Sequence, residues 1–396
     1  MNKKFKIGID ARMYGPQQTG IGTYIQYLID YLAKIDKNND YFIFLLPDTI
    51  DSLILLGENF KKIKVTSHWY STQEQVFFLR DLLKHKLDLV HFPHFNLPIL
   101  YRGKYITTIH DITPKFFPGH KMGQSWYKRK AYDLILKVGT KKAKHIITPS
   151  EKTKRDLIDF YNAKKDRITV IYEGIKNKNT ADQRKEFIEN YTQNKEVALK
   201  NLQSKFNLKN LRKPYIFYVG VWREHKNLPN LIRAFDILIK KYNFQGDLVL
   251  GGTEDPYYPE TREELKKRGL ENRIIRPGFL YGEKLNLLYQ AADVFVLPSL
   301  YEGFGLVTIE ALNQGTAVAC SNIDPLKEVL KNSSVYFDPH NPEDIASKLN
   351  ELLQDKRLQI KLLMQAQGIL EKYDWQEMAK KTLMIYKSVL ENRERC

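Results

Sequence analysis

Cysteine is scarce in this chain, which has two among its 396 residues, Cys320 and Cys396. Two cysteines so far apart supply neither a disulfide framework nor the closely spaced ligands of a zinc site. No Asp-x-Asp sequence occurs, and no cluster of His and Cys has metal-ligand spacing. We therefore expect a protein of a reducing, cytoplasmic compartment that needs neither a metal nor another cofactor.

Long apolar runs are also missing. No stretch approaches the roughly 18 uncharged apolar residues that a membrane-spanning helix requires. The N-terminal segment MNKKFKIGID begins with basic residues, as a signal peptide does, but Asp10 and Arg12 interrupt it before an apolar segment develops. We therefore expect no spanning segment, and we interpret the N-terminal residues as a first strand.

Acidic residues are too few to balance the basic ones, and the net charge is +17. Residues 1–174 carry 29 Lys and Arg against 17 Asp and Glu, whereas residues 175–396 carry 34 against 29. The excess positive charge therefore lies in the N-terminal half. A field of this sign attracts nucleic acid, an anionic membrane surface or a phosphorylated small molecule, and composition does not choose among them.

Short apolar runs alternate with longer helical patterns along most of the chain. KIGID, YFIFLL, DLVHFP and YITTIHD are typical of strands, and a second series begins with PYIFYVGV after Lys213. This alternation predicts an α/β fold of two doubly wound Rossmann-like domains, over residues 1–174 and 214–374. The polar segment 175–213 has helical periodicity without a strand, which predicts a helical linker or insertion.

The segment PSLYEGFGLVTIEALNQGTAV, residues 298–318, is the most informative part of the sequence. It predicts a strand end, a loop with Glu302 and Gly305, and a helix from about Leu306 to Gln314. Free N–H groups at a helix start favour an anion such as phosphate. Glu310 follows Glu302 after seven residues, so both carboxylates can border one crevice. In the alternative interpretation, Glu310 is a solvated helix residue and Gly303 forms an ordinary turn.

This motif, LPSLYEGFGLVTIEAL, resembles the signature of the retaining GT-B-fold glycosyltransferases of family 4, or glycosyl transferases group 1. The resemblance extends over most of the chain, through GIDARMYGPQQTGIGTYIQYLI, YITTIHDITP and YVGVWREHKNL. It implies that the first domain binds the acceptor and the second the sugar nucleotide, across a cleft. It also implies that residues 375–396 form a terminal helix returning to the first domain. The TGIG and IHD motifs most resemble those of mannosyltransferases that use GDP-mannose.

The resemblance also implies roles for single residues. His110 is expected to hydrogen-bond a hydroxyl of the transferred sugar, Glu302 to contact the sugar ring and Glu310 to accept hydrogen bonds from the ribose. The phosphates are expected to bind backbone amides, those of Phe304, Gly305 and Leu306. The base is expected to be held by backbone atoms of Phe279 and Leu280. A histidine at a strand end is, without the resemblance, more often structural.

Two further groups are expected to offset the charge of the diphosphate. Gly20 and Gly22 lie in a Gly-rich turn predicted to open a helix at about Thr23, although such a turn is often only a tight connection. Arg223 and Lys226 follow the strand IFYVGV, where cations stabilise a departing diphosphate. Arg223 departs from the family pattern, so Lys226 is the firmer assignment; the alternative is that both are solvated.

Residues 114–144 mix aromatic side chains with many Lys and Arg. This composition favours contact with an anionic membrane, and the alternative is a buried aromatic cluster with a solvated basic face.

Three hypotheses of function follow. The first is a cytoplasmic, metal-independent retaining glycosyltransferase that moves a hexose from a GDP- or UDP-linked sugar to a saccharide or polyprenyl-linked acceptor in surface polysaccharide or glycolipid synthesis. Such an enzyme is expected to have no nucleic-acid partner, and peripheral association with the inner face of the plasma membrane is the alternative location. The second hypothesis is a basic nucleic-acid-binding protein, which leaves Glu302 and Glu310 unexplained and lacks a known binding motif. The third is a GT-B protein that binds without catalysis.

Overall fold

Two compact units make up the chain. The computed structural model describes residues 3–54, 57–123, 125–176, 178–206, 208 and 211–391. The first unit comprises residues 1–174 and 373–396, and the second comprises residues 175–372. The second unit thus includes the segment 175–213.

The first unit is built on a parallel sheet, which has seven strands within the described residues, in the order β3-β2-β1-β4-β5-β6-β7. The strands are β1 (Lys6–Asp10), β2 (Asp40–Leu45), β3 (Phe60–Lys64), β4 (Leu89–Phe92), β5 (Tyr105–Thr108), β6 (His145–Thr148) and β7 (Ile168–Val170). The helices are α1 (Thr19–Ile35), α2 (Pro47–Ile50), α3 (Leu79–Lys84), α4 (Thr113–Phe116), α5 (Gly119–Gly123), α6 (Trp126–Lys142) and α7 (Glu151–Tyr161), and a π-helical turn (Glu74–Phe78) precedes α3. Strands β4 and β5 are buried throughout because helices cover both faces of the sheet.

The second unit repeats this plan with the strand order β10-β9-β8-β11-β12-β13. It starts with α8 (Ala181–Glu189) and α9 (Tyr191–Lys205). The strands are β8 (Tyr215–Val219), β9 (Asp247–Gly251), β10 (Ile274–Gly278), β11 (Val294–Leu297), β12 (Ala317–Ser321) and β13 (Val335–Phe337). The helices are α10 (Leu228–Tyr242), α11 (Glu260–Arg268), α12 (Gly282–Ala291), α13 (Leu306–Asn313), α14 (Asp324–Leu330), α15 (Pro342–Gln354) and α16 (Lys356–Leu370). The prediction of two doubly wound α/β domains is confirmed.

The polar segment before β8 is integrated into the second unit. Helix α9 packs along α12 and buries Tyr191, Ala198 and Leu202. The buried Lys195 donates hydrogen bonds to the carbonyl groups of Gln290 and Ala292 at the end of α12. Its amino group therefore satisfies carbonyls that the end of a helix leaves without partners.

The last helix, α17 (Trp375–Glu391), belongs to the first unit and packs on α1. The ring of Trp375 stacks on Tyr27 with centroids 4.9 Å apart. A Cβ atom on Gly174 would lie 2.4 Å from Trp375, so glycine is needed there to admit the indole. The hydroxyl of Tyr386 lies 2.7 Å from Nδ1 of the buried His91. These contacts fix α17 against the first sheet.

The start of α1 differs from the prediction. The helix begins at Thr19 rather than near Thr23, so Gly20 and Gly22 lie inside its first turns and not in a preceding turn. A Cβ atom on Gly22 would lie 1.9 Å from the carbonyl oxygen of Gly15. The glycine thus permits a close approach of the preceding loop to the helix, which outweighs its low helix propensity.

Candidate functional site

The order of the strands decides where a crevice forms in the second unit. The chain leaves β8 toward β9 and β10 on one side, and β11 returns to pair with the other side of β8. Ligands of doubly wound sheets bind at the carboxyl ends of the strands where the order reverses in this way. The loops that follow β8 and β11 flank this position, and they carry Lys226 and Glu302 respectively.

Lys226 and Glu302 form an ion pair between these two loops. Nζ of Lys226 lies 2.6 Å from Oε1 of Glu302, and their side chains are 16% and 12% exposed. The hydroxyl of Ser299 donates to the same carboxylate oxygen over 2.7 Å. The structure therefore brings together two predicted site residues that are 76 positions apart.

Hydrogen bonds from both loops fix the backbone around the ion pair. Asn227 adopts a left-handed conformation with φ of 58°, which asparagine tolerates better than most residues. Its buried amide donates to the carbonyl groups of Pro298 and Pro339 over 3.0 and 2.7 Å. The amide of Leu300 donates to the carbonyl of His225 over 2.8 Å. These bonds hold the loops after β8 and β11 in one arrangement.

Two neighbouring side chains are kept neutral. Burial, reinforced by the charges of Lys226 and Arg223, lowers the pKa of His225 well below its ordinary value. Burial, reinforced by the charge of Glu302, raises the pKa of Tyr218 well above its ordinary value. Lys226 and Glu302 are thus the charged pair beside two neutral groups.

Arg223 does not join this pair. Its side chain is 54% exposed, and Nε lies 3.8 Å from Oδ2 of Asp255, in the loop after β9. An exposed contact of that length contributes little to stability. The guanidinium therefore lies outside the Lys226–Glu302 pair, in contact with Asp255.

Helix α13 presents its N-terminus at the same edge of the sheet. Gly305 precedes it with φ of 90°, a conformation that favours glycine, and no side chain caps the helix. The carbonyl of Gly305 accepts hydrogen bonds from the backbone and the hydroxyl of Thr308. Amides in a first turn lack intrahelical acceptors, so those at Leu306 and Val307 suit an anion. Phe304 is buried and contributes backbone here.

Glu310 lies one turn further along α13. Its Oε2 accepts a hydrogen bond of 3.2 Å from the hydroxyl of Tyr289, a buried residue of α12. Burial, together with the Glu310 carboxylate, raises the pKa of Tyr289 well above its ordinary value, so the phenol stays a donor. Tyr289 orients the carboxylate, and no sequence pattern linked the two residues.

The predicted base contacts follow β10. Phe279 is 46% exposed and lies beside Tyr281, with ring centroids 5.9 Å apart. Leu280 is buried and packs against Gly251. A Cβ atom on Gly251 would lie 2.5 Å from Cδ1 of Leu280. The side chain of Leu280 therefore belongs to the core, and Phe279 offers an exposed ring.

In the first unit, His110 has partners at both ring nitrogens. Nδ1 lies 2.8 Å from Oε1 of Glu173, and Nε2 lies 3.0 Å from the carbonyl oxygen of Pro93. Both partners only accept, so the arrangement suits a doubly protonated, charged ring. Burial alone would lower the pKa of His110, but the hydrogen bond and charge of Glu173 outweigh it and the pKa is raised. A sugar hydroxyl would have to replace one of these partners.

Gly20 and Gly22 lie at the start of α1, which has no capping hydrogen bond from the side chain of Gln18. They thus lie in the same unit as His110, while the nine other predicted site residues lie in the second unit. Within the described part of the chain, no group of three or more His, Cys, Asp or Glu side chains could hold a metal ion.

Comparison with known proteins identifies the family. The family model described as Glycosyl transferases group 1 matches residues 199–367, and Glycosyltransferase Family 4 matches residues 19–178. The chain belongs to the group 1, family 4 glycosyltransferases. The prediction of a glycosyltransferase is thereby confirmed, and these family models give no support for nucleic-acid binding.

Two relatives and one solved structure illustrate the similarity. O-antigen chain mannosyltransferase B of Escherichia coli is 26% identical over 93% of this chain and 96% of its own. O-antigen chain mannosyltransferase RfbU of Salmonella typhimurium is 27% identical over 73% of this chain and 70% of its own. The structure of Anabaena HepE in complex with UDP-glucose superimposes with a TM-score of 0.72 at 16% identity, covering 97% of this chain and all of that one. That likeness shows the GT-B fold.

The His110–Glu173 pair predicts how stability depends on pH. The pKa of His110 in the folded glycosyltransferase lies above its unfolded value of about 6.5. The pair therefore stabilises the fold fully below about pH 6.5, and this contribution is lost as the pH rises through the folded pKa. Glu173→Gln should lower the free energy of unfolding by about 1–3 kcal/mol near pH 6, and by less near pH 9.

Urea unfolding at several pH values measures this difference, with Glu58→Gln, at an exposed position, as the control. A difference from wild type that stays constant, or that grows toward pH 9, would contradict a charged His110.

Proposed function

We propose that this glycosyltransferase moves a hexose, with mannose favoured, from a nucleotide sugar to a saccharide or polyprenyl-linked acceptor in surface polysaccharide or glycolipid synthesis. The observation that carries the proposal is the Lys226–Glu302 ion pair at the reversal of strand order in the second unit. Mannose is favoured because two relatives that match most of the chain are mannosyltransferases of O-antigen chains. UDP-glucose remains the alternative donor, since HepE holds it on the same fold.

Lys226 is proposed to bind the diphosphate of the donor. In the structure, Glu302 pairs with its ammonium. A diphosphate competes for Lys226 with more charge than one carboxylate, and the amides at the start of α13 add donors. Glu302 is then released to accept hydrogen bonds from sugar hydroxyls. The ion pair thus keeps both groups in position before the donor arrives.

The other predicted residues complete this site. Glu310, oriented by Tyr289, accepts hydrogen bonds from the ribose, as an acidic residue does in dinucleotide-binding folds. The exposed ring of Phe279 and the backbone of Leu280 lie at the carboxyl end of β10, a suitable place for the base. The exposed Arg223 lies in the same loop as Lys226, after β8, and is proposed to turn toward the phosphates.

Transfer is proposed to retain the anomeric configuration. The bond between the anomeric carbon and the diphosphate oxygen breaks, and the acceptor oxygen bonds to the same face. The departing diphosphate oxygen takes the proton of the acceptor hydroxyl, so no separate base is required. Proton NMR of the product should show the anomeric configuration of the donor, and the opposite anomer would exclude this mechanism.

Lys226→Ala should lower turnover by roughly 10²-fold or more, because the charge that develops on the leaving diphosphate loses its cation. Glu302→Ala should also lower turnover. Lys241→Ala removes an equal charge from an exposed position of the same unit and should leave turnover unchanged. Sugar-nucleotide hydrolysis and transfer measure the effect. Near wild-type turnover in both site variants, shown folded by circular dichroism, would refute the assignment.

The reaction is proposed to proceed without a metal, because Lys226 and the α13 amides neutralise the diphosphate and the sequence has no Asp-x-Asp. EDTA should therefore leave single-turnover transfer unchanged. If chelation abolished that step and Mg²⁺ or Mn²⁺ restored it, a metal would be part of the chemistry.

The first unit is proposed to dock on an anionic membrane through the N-terminal part of α6. Trp126 and Tyr127 are 70% and 60% exposed, and they precede the exposed residues Lys128, Arg129 and Lys130. Nζ of Lys130 lies 4.9 Å from the ring centroid of Trp126. Exposure of these rings favours membrane contact over a buried aromatic cluster. None of the described helices is long and apolar enough to span a bilayer.

Binding to liposomes should rise with anionic lipid and fall with salt, because salt screens the attraction. Replacing Lys128, Arg129 and Lys130 by alanine should weaken pelleting more than replacing Lys164, Lys165 and Arg167, which removes the same charge elsewhere on the first unit. Equal losses in the two variants would show that net charge, and not this surface, drives binding. Equal pelleting with neutral vesicles would exclude the electrostatic account.

A further inference from the structure

The C-terminal end of α12 is held by side chains from other parts of the second unit. Five consecutive backbone carbonyl groups, from Leu288 to Ala292, each accept a hydrogen bond from a side chain. Their partners, in chain order, are the hydroxyls of Tyr215 and Thr316 and the amino groups of Lys195, Lys213 and again Lys195. The last four carbonyl groups of a helix have no intrahelical partner. These side chains therefore fix the end of α12 against α9, β8 and the loop before β12.

Lys195 provides two of these bonds from α9. Its Nζ lies 3.3 Å from the carbonyl oxygen of Gln290 and also donates to the carbonyl of Ala292. The residue is 5% exposed. Burial lowers the pKa of Lys195 to about 7, against the opposing charge of Asp293, so a charge at this position is costly. An apolar side chain of similar length would avoid that cost, and what the lysine adds is its pair of hydrogen bonds.

The two carbonyl groups that Lys195 binds follow Tyr289 closely in the chain. The ring of Tyr289 packs against Phe217 and Phe295, with centroids 5.2 and 5.4 Å away. Its hydroxyl donates to Oε2 of Glu310 over 3.2 Å. Because this bond is longer than the roughly 2.7–2.8 Å typical of hydroxyl donors, a further displacement of about half an ångström would break it. The position of the end of α12 therefore decides whether Glu310 is oriented.

Gln290 joins the end of α12 to α13 a second time. Its Nε2 donates to Oε1 of Gln314, the residue that follows α13, over 2.8 Å. The residue whose carbonyl accepts from Lys195 is thus itself bonded to the far end of the helix that carries Glu310.

We propose that Lys195 is a positioning residue for nucleotide recognition: by fixing the end of α12, it keeps the hydroxyl of Tyr289 where it orients Glu310 toward the ribose. The inference rests on the proposed contact between Glu310 and the ribose and deepens it, since it names what supports that contact. The segment 175–213, which the sequence suggests is a linker or insertion, thereby supports the nucleotide site through α9.

Calorimetric titration of the full chain tests this proposal through the ribose hydroxyls. The probes are GDP and UDP, each compared with its dideoxyribose analogue, and the nucleotide that binds more tightly is used. The wild-type protein should bind the analogue about tenfold more weakly, because the charged Glu310 loses its hydrogen bonds. A loss of folded protein lowers the occupancy of both ligands alike, so the ratio of the two dissociation constants reports the orientation of Glu310.

Three variants apply this ratio to the positioning contacts. Tyr289→Phe removes only the hydroxyl, and Lys195→Met keeps the length of the side chain without its N–H groups. Each should reduce the ratio to about threefold or less, by weakening binding of the nucleotide and not of the analogue. Lys195→Gln retains N–H groups on a shorter side chain and should give an intermediate ratio.

Lys356→Met is the matched control. Lys356 of α16 donates to the hydroxyl of Thr192 in α9, so this variant removes a lysine contact from α9 without touching α12. The ratio should stay at the wild-type value.

The outcomes separate this inference from the proposed function. A wild-type ratio in Lys195→Met and Lys195→Gln would overturn the role of Lys195, even if Tyr289→Phe lowered the ratio. A ratio near one in the wild-type protein would overturn it as well, because Glu310 would then not contact the ribose. Failure of both GDP and UDP to bind the wild-type protein would instead refute the proposed nucleotide-sugar site.

Discussion

The ion pair between Lys226 and Glu302 is the contact on which the proposed donor site depends. It joins the loops after β8 and β11, and the distance of 2.6 Å holds a cation and a carboxylate at the reversal of strand order. A lone cation in a half-buried crevice would be costly, and so would a lone carboxylate. Each group compensates the charge of the other, and in the proposed mechanism a diphosphate takes the place of Glu302. The surrounding hydrogen bonds of Asn227 and Ser299 keep both in position.

Both units place a charged network at the same topological position. In the first unit, Arg12 pairs with Asp10 and Glu74 at the carboxyl end of β1. In the second, a single pair follows β8 and β11. The balance of charge differs: in the first unit two carboxylates surround one cation, whereas in the second a single carboxylate, Glu302, pairs with Lys226.

The fold and part of the site could be predicted from local sequence. Alternation of apolar strands and amphipathic helices gives the two doubly wound sheets, because that pattern depends on neighbouring residues. Glu302, Gly305 and the start of α13 lie in one short segment, so their arrangement could also be predicted. The close approach of the Gly15 carbonyl to Gly22, inside α1, could not, because it depends on how the preceding loop lies against the helix.

Contacts between side chains of distant segments could not be predicted from the sequence. Glu173 lies 63 positions from His110, and Tyr289 lies 21 positions from Glu310 on another helix. Spacing does not encode such pairs, since they depend on how helices pack on the sheet. Local pattern therefore predicts where a site lies, and packing decides which atoms remain available.

A crystal structure with a bound nucleoside diphosphate tests the central claim most directly. We expect a phosphate oxygen within about 3 Å of Nζ of Lys226, close to the first amides of α13. We also expect Glu302 to have moved away from its present distance of 2.6 Å. A diphosphate bound elsewhere, with the Lys226–Glu302 pair still closed, would contradict the account.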